Sequence, residues 1–90
     1  MDQYIKTNDD GSVTVTLASG IDMQGARVKV VTMREPTVAD QIAAQEIKGT
    51  AAAQEVALIA NLAQISPDEV KSMTLRDYRR VQEALVGFTA

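Results

Sequence analysis

The chain has 90 residues, nine Lys or Arg against twelve Asp or Glu, a net charge of −3, and no Cys, His or Trp. That set excludes disulfides, thiolate nucleophiles, Ser-His-Asp and Cys-His catalysis, and any metal site built on Cys or His. Its acidity argues against an electrostatic hold on nucleic acid, and no apolar run approaches the ~20 residues that span a bilayer.

Residues 1–11 are polar and end in Asn8-Asp9-Asp10-Gly11, the composition of a flexible lead-in or a turn. Met1 to Lys6 has neither the basic start nor the apolar block of a signal peptide, so the cytoplasm is the expected location. From Ser12 to Ala18 the chain alternates, with Val13, Val15 and Leu17 on one side and Ser12, Thr14 and Thr16 on the other. The spacing predicts a half-buried strand. Ser19 to Gly25, with glycines at 20 and 25, reads as a connection, and Arg27 to Met33 as a second strand. Val28, Val30 and Thr32 share one face of it, and Lys29, Val31 and Met33 share the other. The second face is apolar in two of three places and calls for a cover, by a helix or by another chain. A hairpin over residues 12–33 is marginal alone, so it needs a helical half or a partner strand.

Arg34-Glu35-Pro36-Thr37-Val38-Ala39-Asp40 is the boundary between strand and helix. Pro36 suits the edge of an element. Thr37 offers a hydroxyl to the first free amides of a helix, with Asp40 at the capping-box position. The first helix is expected over 38–48, with Ile42, Ala43 and Ile47 as a weak apolar stripe, and Gly49-Thr50 as stop and restart. The second is expected over 51–63. Its wide apolar arc, including Val56, Ile59 and Ala60, marks it as central. Ser66-Pro67-Asp68-Glu69 is another start signal, with Ile65 and Val70 placed as a hydrophobic staple. It opens a short helix over 67–72. Thr74 with Asp77 caps a last helix over about 75–88, where Leu75, Tyr78, Val81, Leu85 and Phe88 recur at helical spacing. The whole reads as one α+β domain over residues 12–90: an N-terminal β-hairpin, then three or four α-helices in a small bundle occupying 37–88.

Little chemistry is visible. Asp40, Asp68, Glu69 and Asp77 all sit where helix N-termini favour acids. Arg76, Arg79 and Arg80 could suggest a DNA-reading helix, but Asp77 and Glu83 are interspersed, as on a solvated face. No glycine pattern forms a phosphate loop, and the acidic residues lack calcium-type spacing. Met23, Met33 and Met73 suit core filling or an adaptable surface. No catalytic residue, cofactor or metal site is expected, and the residues alone point to a binding or assembly module.

The ordered pieces Arg34-Glu35-Pro36-Thr37 with Asp40, Ile65-Ser66-Pro67-Asp68-Glu69, and Leu75 with Asp77-Tyr78 together resemble the small tail assembly chaperones of contractile-tailed, Mu-like phages and prophages. The likeness covers Val13 to Phe88. It implies a non-enzymatic helper that holds the long apolar tape measure protein in the host cytoplasm and is absent from the finished virion. It also implies, in many such phages, a longer frameshifted form of the same protein. A homo-oligomer, and no nucleic acid or membrane partner, complete the expectation. The candidate partner surface is Val31 and Met33 on the outer strand face, with Leu58, Leu62, Leu85 and Phe88 on the helices. The alternatives are a structural tail component and a small DNA-binding phage regulator.

Overall fold

The computed structural model describes residues 3–90. Its elements run β1 (Ile5–Thr7), β2 (Val13–Met23), β3 (Ala26–Met33), α1 (Val38–Gln45), α2 (Ala51–Ala63), α3 (Pro67–Lys71) and α4 (Leu75–Gly87). This is the expected α+β class, with an antiparallel sheet in the order β1-β2-β3 followed by four helices.

The strands differ from expectation in two ways. The segment read as a flexible lead-in contains β1, with Ile5 opposite Val15 and Thr7 opposite Val13. Three residues are too few for a periodicity signal, but their backbone satisfies one edge of β2. The link to β2 is held by Asn8 N–H to Ser12 O (2.8 Å) and by Asp10 Oδ1, which accepts from Ser12 N–H (2.9 Å). Second, Ser19 to Met23 continues β2 instead of forming a connection. The turn falls at Gln24 and Gly25, both at positive φ, the type I′ pattern that suits the twist of a hairpin. Strand alternation fails here because the pairing contains a bulge. Thr16 lies opposite Val30 and Ile21 opposite Val28, so four residues of β2 face one of β3.

Val13, Val15, Leu17, Val31 and Met33 point from the sheet into a core closed by Ile59 and Leu62 of α2 and Val81 and Ala84 of α4. Val70 and Met73 seal it at α3. The apolar face of β3 is therefore covered by this chain's own helices. α2 spans the predicted range and contributes Ile59, Ala60 and Leu62 to the interior. It stops at Gln64, in the left-handed conformation at φ 57, ψ 44. Ser66 and Glu69 close a full capping box on α3, with Pro67 inside it.

α1 is shorter than expected and weakly buried. Of its eight residues only Asp40 and Ala44 are buried. Ile42 and Ile47, expected on its inner stripe, are exposed. The helix is anchored by a polar group and one small side chain.

Candidate functional site

What anchors α1 is a polar knot at the strand–helix boundary. Thr37 Oγ1 accepts from Asp40 N–H, and Asp40 Oδ2 accepts from Thr37 N–H at 2.8 Å, completing the capping box. The same carboxylate takes both arms of Arg34, Nη1 to Oδ2 at 2.6 Å and Nη2 to Oδ1 at 2.8 Å. Such a two-armed pair fixes angle as well as distance. Asn61 Nδ2, from α2, also donates to Asp40 Oδ1 at 3.2 Å, and Arg34 N–H donates to Leu62 O at 3.1 Å. The end of β3, the start of α1 and the last turn of α2 are thereby tied together. The Arg34 guanidinium and the Thr37 amide hold the Asp40 carboxyl well below its usual range, and the Arg34 cation is strengthened in return.

With α1 fixed in this way, a groove of about 460 Å³ opens between its first turn, α2 and the last turn of α4. Val38, Leu58, Leu85 and Val86 supply its apolar surface, and Thr37, Gln41 and Thr89 its uncharged polar rim. Val38 is 75% exposed and Val86 69% exposed. Ile42, one turn along α1 from Val38, is also open to solvent. A second hollow, between α1 and α2, continues from Leu58 past Ala43 and Ile47. No charged side chain lines the first groove, so an apolar occupant there would leave no ion desolvated and unpaired.

The six residues expected on a partner surface are divided by the structure. Val31, Met33 and Leu62 are core residues. The reason is topological: α2 and α4 cover the strand face that the sequence left open. Leu58 and Leu85 are half-buried and meet in the groove. Phe88 is half-buried on another side of α4, where it lines a hollow of about 380 Å³ with Ile5, Val13, Glu35 and Glu83. Val38 and Val86 were missed. Their sequence signal is an apolar residue displaced from its helix's buried stripe: Val86 lies directly after Leu85, and Val38 directly after the cap. Of the methionines, Met33 and Met73 fill the core, and Met23 packs against it.

Asp77 departs from its expected role. Thr74 Oγ1 accepts from Asp77 N–H, but the Asp77 carboxylate turns away from that cap. It accepts the backbone N–H groups of Ala18 (2.6 Å), Ser19 (3.0 Å) and Gly20 (3.0 Å) on the β2 bulge. Burial alone would raise its pKa, but the three amides, with Arg80 nearby, outweigh it and leave the carboxyl below its ordinary value. Of the basic trio, Arg80 is committed inside the fold. Its Nη1 donates to Thr16 O at 2.9 Å and its guanidinium lies 4.3 Å from the centre of the Tyr4 ring. The face available to a phosphate backbone is thus poorer than the sequence suggested.

Tyr78 and Gln82 both donate to Glu55 Oε1, at 2.6 Å and 2.7 Å, joining α4 to α2. Burial and then the Glu55 carboxylate push the Tyr78 hydroxyl above its usual range, so it stays a donor. Among the described residues no group of three or more acidic side chains could hold a metal ion, and no helix is long and apolar enough to cross a membrane.

No curated protein and no solved structure matches the chain. A family model described as "Phage tail assembly chaperone proteins, E, or 41 or 14" matches residues 14–90, from the middle of the sheet to the end of α4. With a family match over residues 14–90, nearly its whole length, the chain belongs to the phage tail assembly chaperones.

Proposed function

We propose that this protein is a non-enzymatic chaperone that binds the tape measure protein and keeps it soluble while a contractile, Mu-like tail is assembled. The observation that carries the reading is the groove of Val38, Leu58, Leu85 and Val86, apolar in its walls and uncharged at its rim. A long helical protein exposes apolar side chains at i, i+3 and i+4 that aggregate in water, and a helix laid in such a groove buries them. Repeated engagement along one long helix raises the overall affinity without a strong single contact. A net charge of −3 on each copy helps to keep the loaded complex dispersed. In this reading the work is done in the host cytoplasm, the protein is absent from the virion, and a longer frameshifted form and self-association accompany it.

Co-expression tests the assignment. The tape measure protein should become soluble and co-purify with this chain. Val38→Asp or Val86→Asp should reduce recovery by roughly tenfold or more, because a carboxylate would be buried in an apolar contact. Wild-type recovery from both variants would remove the groove from the mechanism. Finding the protein in purified particles by mass spectrometry would favour a structural tail component instead.

A further inference from the structure

We propose that the hollow between β1 and the end of α4 is a docking site for a basic side chain, lysine or arginine, of a partner protein. It measures about 380 Å³, within the ~300–1,000 Å³ of sites that hold small groups. Ile5 of β1, Val13 of β2, and Ala84 and Phe88 at the end of α4 supply its apolar lining. Glu35, just past β3, and Glu83 of α4 bring two carboxylates to it from separate parts of the chain. Neither is neutralised inside the fold. Among the described residues the ion pair present joins Arg34 to Asp40, so the cation next to Glu35 in sequence is already committed. Arg80, one turn before Glu83 on α4, donates to Thr16 O and lies over the Tyr4 ring. The Tyr4 hydroxyl donates to Glu83 Oε1 at 2.9 Å, which fixes that carboxylate without supplying charge.

Two glycines keep the hollow open. Gly11 sits at φ +88, and a Cβ there would lie 3.0 Å from Glu35 Oε1, so the turn between β1 and β2 leaves room for the carboxylate. A Cβ on Gly87 would meet nothing within 4 Å. Neither a positive φ nor a close contact requires glycine at that position, and its bare backbone leaves the mouth clear beside Phe88.

Charge complementarity selects the occupant. The apolar lining favours a methylene stem, and two carboxylates without a cation favour a positive charge at its end; lysine and arginine carry both. A neutral apolar side chain would desolvate the carboxylates and leave them unpaired. A metal ion finds too few oxygens: calcium takes roughly six to eight, and among the described residues no three acidic side chains gather to hold one. The hollow shares no lining residue with the groove of Val38 and Val86, so this reading stands independently of the tape measure assignment.

The test is a titration of the full chain, followed by its amide chemical shifts, with N-acetyl-arginine methylamide and N-acetyl-lysine methylamide. At least one should shift the amides of residues 5–13, 35 and 83–88, with a Kd of roughly 1–10 mM. N-acetyl-citrulline methylamide, the uncharged analogue of the arginine probe, should bind about tenfold more weakly. Glu35→Gln and Glu83→Gln should each weaken the basic probe by about threefold or more. Gly87→Leu should fill the mouth and abolish binding while the Tm stays level or rises, because leucine is the better helix former; damage to the fold would not give that combination. No shift with either basic probe at about 20 mM, equal binding of the citrulline probe, or wild-type affinity in the glutamine variants or in Gly87→Leu would overturn the proposal. Tighter binding of free putrescine would assign a small polyamine, and the same shifts from calcium chloride a metal ion; either would overturn the protein side chain as occupant. If Gly87→Leu does not fold, the glutamine variants decide alone. Val86→Asp should leave the probe's affinity unchanged, so failure of the groove reading and failure of this one are told apart.

Discussion

The starts of α1 and α4 carry the same pattern, Thr-x-x-Asp, and use it differently. At Thr37 and Asp40 the pattern is local. The carboxylate returns to the Thr37 amide and takes Arg34 from six residues upstream. At Thr74 and Asp77 only the threonine caps; the carboxylate serves a β-bulge 57 to 59 residues away. The difference lies in what each helix start faces. α1 begins at the edge of the fold, where its own amides are the nearest donors. α4 begins over residues 18–20, whose amides have left the ladder with β3 and require an acceptor. One sequence motif thus secures an exposed lip in one region and a buried irregularity in the other.

The largest expected effect tests that contrast at its buried side. Asp77→Ala leaves Gly20 N–H buried, and Ala18 and Ser19 N–H partly buried, without their acceptor. A loss of about 3–5 kcal/mol in urea unfolding is expected, enough to unfold much of a small domain. Gly20→Ala approaches the same bulge from the backbone. Gly20 sits at φ +85, and a Cβ there would lie 2.8 Å from Val28 O. A cost of about 2 kcal/mol or more is expected.

Asp40→Asn and Arg34→Ala break the knot at the start of α1, and should lower the Tm less than Asp77→Ala does. Their signature should be regional: faster amide exchange in α1, with protection of β2 retained. If these variants loosen β2 as much as α1, the two regions are not separate.

Acid sharpens the comparison further. Both carboxyls lie below their ordinary 3.8 in the folded protein. Their contribution is complete above the unfolded value and is lost as the pH falls through 3.8 toward the folded values. Stability should therefore be level in this respect above about pH 5 and decline below it. Neutralising either aspartate should flatten that decline. The smallest stability effect belongs to the lip itself. Val86→Asp should change unfolding free energy by no more than about 0.5 kcal/mol, because the side chain is already in water, while impairing partner capture.

Much of the helical half was legible because its signals are local. A cap hydroxyl, a proline at the first helical position and an acid in the first turn act within four residues, and α2, α3 and α4 begin where those signals stand. The ends were less so: α1 stops at Gln45, before the glycine that was expected to end it. The sheet was half legible. Val13, Val15 and Leu17 alternate as a strand must, whereas β1 is too short to alternate and the bulge interrupts the period. The candidate site was the least legible part. Of the expected surface residues, Leu58 and Leu85 lie half-buried in the groove. Val31, Met33 and Leu62 were misplaced because an apolar strand face looks the same whether its cover comes from its own helices or from another chain.

By itself the sequence determined the exclusions and the order of the helices. A chain without Cys or His cannot perform thiol or imidazole chemistry, and caps, prolines and periods act over a few residues wherever the chain folds. The tertiary structure decided which apolar faces remained open and what each buried aspartate was for. Those outcomes depend on which separate segments meet: α4 against the β2 bulge, 57 to 59 residues away, and α1 against α2 and the last turn of α4, where an uncharged groove was left uncovered.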